Sequence, residues 1–405
     1  MGSGSGSAGY PEPDRLVVRT VPVADPGDLA GRLPGSGPLA WIHQGEGLAG
    51  WGEAARVTLP AGPDRFTAAE KWLRALLDSA DVDDQVGAPG CGPVAFGSFT
   101  FDPASDGSVL IVPQAVLGRR DGQAWLTTIS ARPGSPVPDG WPPAASPVRA
   151  AQAGHGSAPV PGEVRWHDGS LTAPQWERAV ATAVARIRAG GLRKVVLARD
   201  LHASAPAPID VTLLLRRLAA RYPDCYTFAC GGLAGATPEL LIKREGRAVS
   251  SLVLAGTAPR SADPREDAAL GTALLASAKD TEEHGYAAAD VRESLAPLCT
   301  ELYAAPRPAL LRLANVHHLA TAVRGTLAVQ AADGTVPSAL ALAAALHPTP
   351  AVGGTPTEAA LELIRELEGM DRGRYAAPVG WMDSAGNGEW GIALRCAEID
   401  GSRAR

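Results

Sequence analysis

The 405-residue chain contains no run of about 18 apolar residues, which excludes a membrane-spanning helix. Its first residues, MGSGSGSAGY, lack the charged and apolar regions of a signal peptide, so the expected location is the cytoplasm. Cys91, Cys225, Cys230, Cys299 and Cys396 form no C-x-x-C pair. That excludes a disulfide framework and a zinc knuckle and leaves reduced thiols. Positive charge is in deficit: 37 Lys+Arg stand against 43 Asp+Glu, a net charge of -6. With no basic surplus to spread along a phosphate backbone, nucleic acid is excluded as a partner. Among the charged residue types lysine is scarcest, with only Lys71, Lys194, Lys243 and Lys279, because Arg supplies the remaining positive charge. A lysine retained in such a chain points to an amine that can lose its proton, which Arg cannot do. What is abundant is apolar surface: 45% hydrophobic composition over this length can bury a large core without disulfide or metal staples.

The 46 Gly and 35 Pro cluster in a few places. Residues 1–13 read as a flexible tail, and residues 132–163, saturated with Pro, Ala, Gly and Ser, as a long surface loop. Between them, residues 14–131 show short strand-like runs around one helical segment, TAAEKWLRALLDSA, whose Trp72, Leu73, Leu76 and Leu77 follow helical spacing. Residues 164–405 open with a helix. Thr172 and Gln175 form a capping box with Pro174 in the first turn, and Trp176, Val180, Val184 and Ile187 mark an inward stripe that Gly190-Gly191 stops. LRKVVLARDLHA reads as one strand, DVTLLLRRLAARY as a helix, and ELLIKREGRAVSSLVLAGT as an antiparallel pair turning at Glu245-Gly246. A third helix is predicted from about residue 270 to 299. Helices and antiparallel-type strands mix without regular β-α-β alternation, so the predicted class is α+β, with layered antiparallel sheets and outer helices.

Several side chains suggest chemistry. Lys194 heads an apolar strand, where desolvation favours the free amine of a general base; a strand-end lysine snorkelling to water is the other reading. Glu239 enters the apolar strand LLI, where burial would raise its pKa toward that of a general acid. Its alternative is a solvated turn residue. Steps of four lead from Glu283 to Ala287, Val291 and Leu295, so Glu283 is expected to head the buried face of the third helix. There it either meets the positive helix N-terminus or, as an oxygen ligand, holds Mg²⁺. His317 and His318 are strand neighbours, so at most one faces any cavity. Gly353 and Gly354 allow close backbone approach in HPTPAVGGTP, and Thr355 to Glu358 are predicted to cap the following helix. Arg395 lies between Leu394 and Cys396 in an apolar strand, with a bound carboxylate or an internal Glu as its partner.

Together these segments resemble the chorismate-utilising enzymes, most closely the isochorismate synthases of menaquinone and siderophore pathways. KVVLARD, TPELLIKREG, LAGTAPR, SAKDTEEH, VHHLATAVRGTL, LHPTPAVGGTP and DRGRYAAPVGWMDSAGNGEWGIALRCAEI carry the resemblance, in the family's order, over about residues 165–399. It implies the chorismate-binding fold of anthranilate synthase component I and a Mg²⁺-dependent conversion of chorismate to isochorismate. On this resemblance Lys194 activates water for attack at C2 and Glu239 protonates the departing C4 hydroxyl. Glu283 becomes a Mg²⁺ ligand, Gly256 and Thr257 the carboxylate cradle, and His318, Tyr375 and Arg395 substrate contacts. Lys194 separates the chain from ammonia-using members, implying a monomer that needs no glutaminase subunit. Ala351 stands where salicylate synthases carry a hydroxyl, which favours stopping at isochorismate over the alternative of salicylate formation. Family members continue past the Asp400-Gly401 turn with a Gly-rich strand and a helix bearing a second metal-binding Glu. The expectation is therefore either an incomplete record of a longer enzyme or a truncated paralogue that only binds.

Overall fold

The computed structural model describes residues 15–130, 164–329 and 335–405; the expected tail at 1–13 and loop at 132–163 lie outside the described residues. Two antiparallel sheets, one of 12 strands and one of 10, carry the fold. Each draws on both ends of the chain. In the larger sheet Leu39–His43 pairs with Tyr226–Cys230, Trp41 opposite Phe228. In the smaller, Val94–Ser98 pairs with Pro378–Asp383, Phe96 opposite Trp381. Among the described pairs only Val17–Pro22 with Asp81–Asp84 is parallel.

Alternating side chains place one face of each sheet against the other. Leu39, Trp41, Leu48 and Phe228 from the larger sheet and Phe96, Ile111, Val379 and Trp381 from the smaller form one buried cluster. Helices cover the outer faces. Arg65–Asp78, Ala278–Leu295 and Ala339–Leu346 bury Leu73, Leu76, Val291, Leu295, Leu340 and Ala343 with Val249, Val253 and Val323 of the smaller sheet. Val211–Arg221, capped by the Asp210 side chain, sets Leu215 against the larger one. Among the described residues no helix is long and apolar enough to cross a membrane.

The α+β layering matches the sequence reading; several local expectations do not. The third helix is two helices, Pro264–Ala276 and Ala278–Leu295. Ser277 has extended backbone, and its hydroxyl accepts the Asp280 N–H at 3.2 Å, so a short polar side chain ends one helix by capping the next. The run LRKVVLARDLHA is also divided. Lys194–Val195 pairs with Gly354–Thr355, whereas Leu201–Ser204 joins the larger sheet. Because Thr355 is engaged in that ladder, the helix Thr357–Leu367 starts behind Pro356 without the predicted side-chain cap. Helix Ala173–Ala189 keeps its Gln175-to-Thr172 N–H bond at 2.8 Å, and Trp176, Val180 and Ile187 of the predicted stripe are half-buried, but its fully buried residue is Ala183, and Val184 is exposed. It packs on the helix Thr357–Leu367 through Ala183, Ala360 and Leu363, and a single helix neighbour buries a narrower stripe than a sheet would.

Candidate active site

The site forms where the chain passes from one sheet to the other. Leu233–Thr237 belongs to the larger sheet and Leu240–Glu245 to the smaller, so Glu239 sits in the crossing. Gly388–Ile392 and Cys396–Asp400 make the reverse passage, with Arg395 between them. The crossings lie side by side. Ile392 N–H donates to the Glu239 carbonyl at 3.2 Å, and Ala236 N–H to the Arg395 carbonyl at 3.3 Å. Arg395 is thus not a strand residue as expected. Its φ of 49° is left-handed, the sharp turn that redirects the chain between sheets, and a non-glycine residue held there signals a constrained position.

Glu239 is 6% exposed, and no described residue hydrogen-bonds its carboxyl. Burial pushes its pKa up to about 8, against the opposing pull of Lys194 and Arg395, so the carboxyl is protonated at neutral pH. Lys194 heads its two-residue ladder with the side chain buried. Its Nζ lies 3.1 Å from Glu283 Oε1, an ion-pair distance without hydrogen-bond alignment, and makes no other polar contact. Glu283 departs from expectation. Its helix buries His284, Ala287, Val291 and Leu295, which leaves Glu283 on the rim with its side chain 34% exposed and turned to Lys194. A period of 3.6 rather than four residues shifts the buried stripe by one position.

The strand Ala248–Pro259 bulges at Gly256, where its register against Val316–Leu327 shifts. Gly256 has a φ of +79°, and a Cβ there would stand 3.2 Å from Asp280 Cβ, so only glycine fits without displacement. Thr257 Oγ1 lies 3.0 Å from His318 Nδ1, with the Gly256 carbonyl at 3.3 Å. Arg395 donates to His318 Nε2 at 3.0 Å, which places the ring proton on Nδ1. Burial, reinforced by Arg395, holds the His318 pKa below its ordinary value. His317 points the other way, to Asp267 at 2.9 Å, as strand alternation requires.

His284 was not singled out by sequence. Its Nδ1 lies 3.2 Å from the Ala255 carbonyl and its Nε2 2.7 Å from Thr321 Oγ1, tying the helix to the bulge. The available signal was its i, i+3, i+7 spacing with Ala287 and Val291. Ala351 and Tyr375 pack with Val195, Leu197 and Leu394 on the core under the smaller sheet and hydrogen-bond no other candidate through their side chains. Burial pushes the Tyr375 hydroxyl pKa up. Two cavities, of about 770 and 320 Å³, run along Leu201–Ser204 and Cys396–Asp400; Tyr375 and Cys396 line the smaller. Neither is lined by Lys194 or Glu239. Among the described residues no three His, Cys, Asp or Glu side chains converge as a closed metal cage.

The family model for the chorismate binding enzymes matches residues 41–405. The MenF protein of Mycobacterium tuberculosis is 40% identical over 325 residues, 78% of each chain. The isochorismate synthase DhbC of Bacillus subtilis is 44% identical over 236 residues, 56% of this chain and 58% of that protein. The crystal structure of Bacillus anthracis DhbC superposes with a TM-score of 0.72 at 29% identity, covering 93% of this chain and 90% of that one.

Proposed function

The chain belongs to the chorismate-binding enzymes, and on that premise we propose that it is an isochorismate synthase, converting chorismate to isochorismate for a menaquinone or siderophore pathway. The observation that carries the reading is a buried carboxyl, held protonated by a pKa of about 8, with Lys194 near enough to pull against that shift. One is a proton donor, the other a proton acceptor, and the isomerisation needs both.

Lys194 Nζ takes a proton from water as the water oxygen bonds to C2. The ring double bonds shift, the C4–O bond breaks, and Glu239 gives its proton to the departing oxygen, which leaves as water. One water enters and one leaves, and proton exchange with solvent resets both side chains. Gly256 and Thr257 hold a substrate carboxylate at the bulge. Arg395, in the second crossing, and His318, to which it is already joined, orient the substrate. Water as nucleophile needs no ammonia-supplying subunit.

Glu283 would hold Mg²⁺. A hard carboxylate on an open rim fits this ion, which commonly binds through one or two carboxylates plus substrate oxygens and water. When bound, it supplies positive charge that neutralises the substrate carboxylate.

Chorismate incubated with the purified chain and Mg²⁺, without an ammonia source, should give isochorismate by chromatography. Pyruvate release detected with lactate dehydrogenase, or anthranilate formation when ammonia is supplied in a parallel assay, would overturn the proposal.

A further inference from the structure

The ladder that presents Lys194 is only two residues long, pairing Lys194 with Thr355 and Val195 with Gly354. Strands usually run to about five or six residues, so this one needs other support. Gly354 packs against it so closely that a Cβ would lie 2.2 Å from the Lys194 carbonyl. Backbone bonds flank the ladder, Arg193 N–H to the Thr355 carbonyl and Val196 N–H to the Gly353 carbonyl, both at 2.8 Å, and beyond them a buried ion pair adds side-chain support. Glu368 ends the helix Thr357–Leu367, and Arg372 lies one turn on, with side chains 0% and 2% exposed. Arg372 Nε donates to Glu368 at 2.9 Å and a second guanidinium nitrogen completes a bidentate pair. The remaining hydrogen bonds leave the pair for different segments. Arg372 donates to the Val196 carbonyl at 2.7 Å and to the Val352 carbonyl at 2.8 Å, and Glu368 accepts the Ala198 N–H at 2.7 Å. The Phe101 ring covers the guanidinium, 4.2 Å from Cζ.

We infer that Glu368 and Arg372 are positioning residues, a clamp setting the Lys194 segment against the Ala351 loop and the Tyr375 turn. Its bonds end two residues after Lys194 and one after Ala351, and Arg372 itself lies three before Tyr375. A buried pair adds little net stability over an apolar replacement, whereas a planar five-donor fork can hold three segments in register at once.

The inference takes its kinetic readout from the isochorismate synthase reading, while a second readout does not depend on that reading. The double variant Glu368→Gln/Arg372→Met removes both charges and strands neither; Arg372→Lys keeps the charge but loses the fork. In both, kcat with chorismate should fall about 100-fold while KM stays within about threefold, since misplacement of a catalytic group affects the chemical step. Amide hydrogen exchange should quicken in residues 194–198 and 351–355 and stay unchanged in Pro378–Asp383. Unchanged kcat with unchanged exchange overturns the clamp. Should the wild-type chain not turn over chorismate, the functional reading fails and exchange alone decides the clamp. Should the double variant not fold, Arg372→Lys gives the same two readouts.

Discussion

Two clusters of charge lie between or beside the sheets, and they are built in opposite ways. Arg120, Lys243, Glu245 and Glu389 form a closed network. Arg120 pairs with Glu245 and, at 2.7 Å, with Glu389; Lys243 reaches Glu245 at 2.9 Å and Glu389 at 3.5 Å. The second oxygen of Glu389 accepts the Trp41 indole N–H at 2.8 Å. At the proposed site, Lys194 has one misaligned ion-pair contact and the Glu239 carboxyl has no hydrogen bond among the described residues. Satisfied buried charges settle a structure, whereas unsatisfied ones keep donors and acceptors available to a substrate. The contrast predicts that substitutions in the first cluster cost stability and those in the second cost turnover.

The largest effect belongs to Lys194→Ala. Turnover should drop at least about 1000-fold with little change in melting temperature, because the Glu283 left behind stands on a half-open rim. Activity within tenfold of wild type would end the base assignment. Next, Arg120→Met should cost about 2 kcal/mol in urea unfolding, because Glu389 loses its shortest charged partner and keeps Lys243 at 3.5 Å and the Trp41 N–H, with kcat per folded molecule unchanged. A loss of kcat with intact stability would reverse the comparison.

Glu239→Gln should separate the two effects within one residue. Its folded pKa of about 8 lies above the ordinary 4.5, so its stabilising contribution is complete below 4.5 and is lost as pH rises through about 8. The variant should therefore be inactive, yet melt higher than wild type at about pH 9 and no higher at about pH 4. Wild-type kcat should fall with pH above about 8 as the acid deprotonates. The smallest effect is Gly256→Ala, which forces a Cβ toward Asp280 at positive φ. It should cost about 1 kcal/mol in stability and show in kinetics as a raised KM for chorismate.

Lys194 and Glu239 were legible in the sequence because each sits beside an apolar run whose burial it must share. The alternation of His317 and His318 follows from strand geometry, and the structure turns them to opposite sides as expected. Glu283 was found for the right helix but placed on the wrong face, since steps of four overshoot the helical period. His284 was passed over because a histidine at helical spacing looks like ordinary core until its partners, Ala255 and Thr321, are known. The break at Ser277 was equally hidden, because a serine inside a helical pattern caps only when the backbone on either side diverges.

By itself the sequence determined the α+β class, the alternating faces of the strands, the outer helices and the short list of ionisable residues beside apolar runs. All of these follow from local periodicity and the cost of burying charge. Tertiary structure alone decided that Glu239 and Arg395 occupy adjacent crossings between sheets, that Glu283 faces Lys194, and that Glu368 and Arg372 brace the Lys194 segment. Those relations join residues up to 176 positions apart, as in the hydrogen bond from Arg372 to the Val196 carbonyl. Local periodicity carries no information about such pairings, which exist only once two sheets have stacked and their crossings have met.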